Sequence, residues 1–200
     1  LLNVSTPYKG SIDLIADRMG MHFQGAFNEP LDFDGVQGTL EIDIASLEAA
    51  LKVFGIPKSP PVPLKIAGSL QRQGDLWQID NASGRLSANP YSGNFVLKEG
   101  KRGEADRLDV KVDFPTLDLA PLLTTADAKS DAADEPGMVV EGQVRAARLT
   151  WGKLGVSDAV LHGNTGPHDS KKGKLTFVLF GGKVEAQLET FESDANRIAL

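Results

Sequence analysis

Residues 171–190, KKGKLTFVLFGGKVEAQLET, constrain the fold more than any other stretch of the chain. Their apolar and polar residues alternate with a period of two, the mark of a strand with one dry and one wet face. They predict two strands, Lys174–Phe180 and Lys183–Glu189, joined at Gly181-Gly182, because glycine accepts the positive φ of a tight hairpin turn. Leu175, Phe177 and Leu179 fall on one face, and the partner strand adds Val184, Ala186 and Leu188. The same pattern recurs along the chain. Leu108, Val110, Val112 and Phe114 alternate with Asp109, Lys111 and Asp113. A chain built this way predicts a long antiparallel meander.

Further strands are expected at Tyr8–Ala16, Met19–Phe27, Phe33–Asp43, Leu64–Gln71, Leu76–Asn81, Gly84–Ala88 and Ser92–Glu99. Others come at Met138–Ala146, Arg148–Trp151 and Gly155–Gly163, about a dozen strands in all. Breaks are expected at Asp17-Arg18, Gly74-Asp75, Ala82-Ser83 and Asn89-Pro90. The period changes once. Leu47, Ala50, Leu51 and Phe54 stand at helical spacing, with Ser46 as N-cap and Gly55 and Pro57 as the stop. One short helix over 46–55 is predicted.

The fold class is therefore mainly β: a long, strongly curved antiparallel meander with one short helix. Residues 124–137, TTADAKSDAADEPG, lack bulky apolar groups and predict a mobile acidic loop that folding does not need. Residues 1–29 are expected to end a preceding β-repeat. Residues 30–123 form a second repeat with the helix, and 138–200 a third that stops within a strand. The chain reads as a piece of something longer.

Chemistry is sparse. The chain has no cysteine, which excludes disulfides and thiolate sites. Its formal charge of −6 disfavours a nucleic-acid partner, and the only basic cluster is Lys171, Lys172 and Lys174. No nucleophile elbow, zinc-protease motif or phosphate loop occurs. His162 and His168, with Asp158 and Asp169 nearby, suit a solvated loop better than a metal site. The acid pairs Asp13/Asp17, Asp109/Asp113 and Glu185/Glu189 read as wet strand faces or turns. No catalytic residue, metal or cofactor is expected.

The order of these segments resembles the AsmA-like (AsmA, TamB and YhdP type) proteins of Gram-negative bacteria. The matching residues are Gly38–Asp43, the helix Leu47–Gly55 with its proline connector, and Pro63–Leu70. Further matches are Val112–Leu123, which contains Leu117-Asp118-Leu119, then Gly142–Leu154, and Leu179–Ala186 with Phe180 where the family commonly has tyrosine. The resemblance covers about three quarters of the chain. It implies a periplasmic β-groove of taco-like section, held to the inner membrane by an N-terminal anchor absent from this chain. It also implies a role in outer-membrane biogenesis, with phospholipid acyl chains as the ligand. The candidate groove residues are then Leu108, Val110, Val112, Phe114, Leu175, Phe177, Leu179, Val184, Ala186 and Leu188. A dozen strands at ~4.8 Å spacing would span roughly 55–60 Å. The rival reading is a closed β-sandwich that binds envelope proteins.

Overall fold

The computed structural model describes residues 7–16, 18–28, 33–49, 60–123, 138–165, 171–190 and 197–199. They form one twelve-stranded sheet in which every strand lies beside its neighbours in sequence. The strands are β1 (Tyr8–Ala16), β2 (Met19–Phe27), β3 (Gln37–Ile44), β4 (Leu64–Gln73), β5 (Leu76–Leu86) and β6 (Asn89–Lys98). They continue as β7 (Arg107–Asp118), β8 (Val139–Trp151), β9 (Leu154–Thr165), β10 (Lys171–Leu179), β11 (Gly182–Thr190) and β12 (Arg197–Ala199). The sheet is open: β1 and β12 are its two edges. The expected mainly-β meander is what the chain forms, and the closed sandwich is not.

The helix begins as expected. Leu47–Ala49 are helical, and the Ala49 N–H donates to Ser46 Oγ at 3.4 Å, an N-cap contact. The rest of the predicted helix lies outside the described residues, as do Asp17, the 124–137 loop, His168 and Asp169.

Several boundaries need correction. The final hairpin turns at Phe180-Gly181, because Leu179 pairs with Gly182. Both turn residues have positive φ, 49° and 80°, as a two-residue turn matched to strand twist requires. Asn89 and Pro90 are paired in β6, and the turn before them is Ser87-Ala88. The expected break at Ala82-Ser83 is a bulge inside one continuous β5. Asn81 sits at φ 51°, and the pairing with β4 and with β6 shifts register there. The Asn94 side chain accepts a hydrogen bond from the Asn81 N–H at 3.1 Å, so the bulged amide keeps a partner.

The expected break between Ala146 and Arg148 is likewise a kink within β8. Pro115, Ala147 and Asp158 drop out of the ladders of β7, β8 and β9 along a single line. Phe114 and Leu117 are both buried, as are Val156 and Ala159, although the members of each pair stand an odd number of positions apart. The alternation has changed phase. Asp158 takes φ 52° to allow it, and Pro115 has no N–H to lose from the ladder.

One pair departs from the meander: β7 and β8 are parallel. A parallel neighbour requires the chain to return to the starting end of the sheet. That return starts at residue 119. Leu119 and Leu122 begin it by packing against the sheet's larger apolar cluster.

Curvature is visible at the glycines. A Cβ on Gly25 would overlap the Gln37 carbonyl oxygen, and one on Gly38 would overlap that of Gln24. Gly84 and Gly93 are equally pressed against Lys65 and Lys111 of the neighbouring strands. Backbones this close mark tight bends in a coiled sheet.

The two ends of the strands differ in character. Leu14, Ile15, Leu123, Trp151, Leu154 and Phe180 are exposed, and all lie at the end where β1, β7, β8 and β10 finish. Of the other large apolar side chains standing exposed among the described residues, Phe33 is at the opposite end and Leu161 is mid-strand. That opposite end carries Asp34, Asp75, Glu99, Lys101, Arg102, Glu104 and Asp106. There, Trp77 is held by a 2.7 Å hydrogen bond to Glu99 and by the Arg72 guanidinium 4.6 Å from its ring centroid.

Candidate functional site

The dry face is continuous from β1 to β11. Two apolar clusters occupy it. The first joins Phe23, Val36, Leu40 and Leu70, with Ile12, Met21, Phe27, Ile42, Trp77 and Ile79 against them. The second joins Tyr91, Val112, Phe114, Leu117, Ala146, Val156 and Ala159, with side chains from β4 to β10 packed around them. Ile79 of the first pairs across the ladder with Phe95 of the second, so the clusters adjoin.

The predicted groove residues distribute along this face. Val112 and Phe114 are buried in the second cluster, and Val110, Phe177 and Leu179 pack against it. Leu108 is half-buried, opposite Leu97 and Val140. Leu175 is paired with Ala186, and Phe177 with Val184. Ala186 is buried, and Val184 and Leu175 are half-buried. Leu188 holds the register position opposite Gly173 and Ile198. The face is thus one surface, with the buried part of its larger cluster on β6–β9 and the final hairpin at its margin.

The first cluster is what sequence reading omitted from the site. Leu40 and Ile42 show the required alternation, but Phe23 and Met21 lie in a strand broken up by Gly20, His22 and Gly25. The missed signal is cross-strand. Gly10, Gly25 and Gly38 stand opposite one another in three successive strands. The Phe23 ring fills the space where side chains at Gly25 and Gly38 would be. Gly142, Gly163 and Gly173 make a second such row across β8, β9 and β10.

Polar groups on this face are few and satisfied. The Tyr91 hydroxyl reaches across Gly84 to donate to the Lys65 carbonyl at 3.0 Å, and burial pushes its pKa well up. Asn89 is buried. Its amide donates to the Asp118 carbonyl at 3.2 Å and accepts from the Asp118 N–H at 2.8 Å. These two contacts tie the start of β6 to the end of β7.

Apolar side chains are covered unevenly. Among the described residues no large side chain is completely shielded from solvent, and Ile66, Val110, Val144, Phe177 and Leu179 keep part of their surface open. An open groove of about 510 Å³ lies over β1–β5, lined by the cross-strand row Leu14, Met21, Ile42 and Ile66 together with Asp13, His22, Glu41, Asp43 and Lys65.

The charged groups form pairs. His22 Nδ1 lies 2.6 Å from Asp13, which together with Glu41 holds the imidazole above its ordinary range. Lys65 pairs with Asp43 at 2.5 Å, and Arg107 pairs with Glu141. Lys174 sits 2.7 Å from Glu185 and lowers that carboxyl's pKa. All are exposed cross-strand pairs, worth little individually. Among the described residues, no three His, Asp or Glu side chains are grouped to hold a metal ion. No described helix is long and apolar enough to cross a membrane.

Comparison with family models, with curated proteins and with solved structures finds no match to this chain.

Proposed function

We propose that the chain is a segment of a periplasmic, AsmA-like lipid conduit, inner-membrane anchored in its full-length form, whose dry face shelters phospholipid acyl chains during outer-membrane biogenesis. The observation that carries this reading is the continuous apolar face of one open sheet, running from Ile12 in β1 to Ala186 in β11. Acyl chains need apolar contact and no directional partner. Each CH₂ removed from water contributes about 0.8 kcal/mol, so a sixteen-carbon chain gains on the order of 10 kcal/mol before ordering costs. Because the face continues from strand to strand, a chain can slide without returning to water. Such a conduit is not an enzyme: its mechanism is passive shelter, and the head group stays outside the apolar strip.

Native mass spectrometry of the purified chain tests this. The expected result is bound phospholipid, displaced by added detergent. A lipid-free protein that takes up no fluorescent acyl chain from vesicles would overturn the reading. The substitution to pair with it is Val184→Glu, because Val184 is half-buried and a carboxylate there can reach water. The variant is expected to fold and to lose lipid. Val112 is 8% exposed, so a charge there unfolds the sheet whether or not lipid binds.

A further inference from the structure

We infer that the strand-end rim formed by β7–β11 docks on a negatively charged lipid surface. The rim is made of turn tips. Trp151 and Leu154 flank the Gly152-Lys153 turn and are 60% and 52% exposed, Leu123 lies just past β7, and Phe180 forms the next tip at 100% exposure. These tips belong to adjacent strands, so about 20 Å of rim carries all four.

Phe180 is the decisive residue. It occupies a left-handed position, φ 49°, which Asn or Gly fills with less strain. It touches nothing that offsets the strain, since its side chain is wholly exposed. A strained, solvent-facing aromatic at a turn tip has no role in holding the sheet together, and points to something outside it.

The neighbouring charges select the occupant. Lys153 lies within the first tip, and Lys183 comes just after the second; Arg148 is exposed nearby, against the half-buried Asp118 and the exposed Asp158. The chain as a whole carries −6. Aromatic and aliphatic tips with flanking cations, on an otherwise acidic protein, complement an anionic lipid–water interface. A protein partner needs a broad, shape-matched patch. Separate convex tips instead suit penetration of a deformable surface.

The test is flotation of the purified chain with vesicles of phosphatidylcholine alone or with about 30% phosphatidylglycerol, a composition that gives the surface a negative potential. Binding is expected to the anionic vesicles and to fall several-fold in high salt. Phe180→Asn and Trp151→Ser together should weaken it by at least tenfold, with circular dichroism unchanged, and Lys153→Glu with Lys183→Glu should do the same. Phe180→Asn alone should raise the thermal midpoint while weakening flotation, a combination that a purely structural role for the aromatic does not give. Absence of flotation overturns the proposal, as does flotation indifferent to the tip variants. Self-association abolished by the tip variants also overturns it, because the rim would then be a contact between copies. Lipid held in the groove is read separately by mass spectrometry and should survive the tip substitutions, so the two proposals fail independently.

Discussion

Between β2 and β3, Gly25 and Gly38 face each other and the Phe23 ring lies where their side chains would be. Between β7 and β9 no glycine stands at the bend. Pro115, Ala147 and Asp158 leave the ladder instead, and the dry face changes phase. Both regions curve one sheet around an apolar face. The glycine bend permits the close backbone approach and lets an aromatic ring cover the bare strands. The kink keeps full-sized side chains on either side of the line and moves them onto the same face. The first depends on the absence of atoms; the second depends on backbone conformation. They should therefore respond very differently to substitution.

The largest effect is expected at the glycine bend. Gly38→Val forces a side chain into the Gln24 carbonyl and the Gly25 backbone, and should cost more than about 3 kcal/mol, read from the urea midpoint. Gly142→Ala is the contrasting change. Its new Cβ would meet nothing closer than the Val110 carbonyl oxygen at 3.7 Å, so stability should move by no more than about 0.5 kcal/mol. Equal losses at the two sites would remove the distinction between a crowded glycine row and an open one.

The parallel seam gives the next effect. From Leu123 the chain must return beside a strand of twelve residues, roughly 36 Å, before β8 begins. Replacing residues 124–137 by a six-residue Gly/Ser link leaves too short a reach and should break the β7–β8 pairing, seen as a collapse of the cooperative transition. A twelve-residue replacement should leave the unfolding free energy within about 0.5 kcal/mol. The segment lies outside the described residues, yet its neighbours fix a minimum length for it. Tolerance of the short link would show that β8 pairs in another register.

At the kink, Asp158→Gly should stabilise slightly, by up to about 1 kcal/mol, because glycine adopts φ 52° without a Cβ penalty. A large loss there would mean that the Asp158 side chain, rather than the backbone bend, holds the line.

The smallest effect is electrostatic. His22 has its pKa raised in the folded chain, so its pair with Asp13 adds stability below the ordinary imidazole range, and that contribution is lost as pH rises through the folded value. Asp13→Asn should bring the imidazole titration, tracked by NMR, back toward its ordinary range. An unmoved titration would assign the shift to Glu41.

Much of the strand order was legible in the sequence, since alternation survives in each strand separately. β1 and β2 fall where Tyr8–Ala16 and Met19–Phe27 predict them. The two breaks misread inside β5 and β8 share one cause. At Asn81 and around Ala147 the apolar phase slips, and in a sequence a slip looks the same as a turn: alternation stops and restarts one position out of step. Only pairing partners distinguish them. The candidate site was partly legible for the same reason. Val110, Val112 and Phe114 announce their face, whereas Phe23 and Met21 sit among glycines whose meaning lies in the strands opposite.

The sequence by itself determined that the chain would be a β-meander with one dry face, because side-chain alternation is a local property of each strand. It also determined the turn chemistry at Gly74 and near Gly181, because the steric cost of positive φ is set by the residue that adopts it. The tertiary structure decided three things that no single strand encodes. It made β7 and β8 parallel, it brought glycines of successive strands into rows, and it left the exposed Trp151, Leu154 and Phe180 at the same end of the sheet. Each depends on register and direction between strands, and those are set by hydrogen bonds that form only when the sheet is assembled.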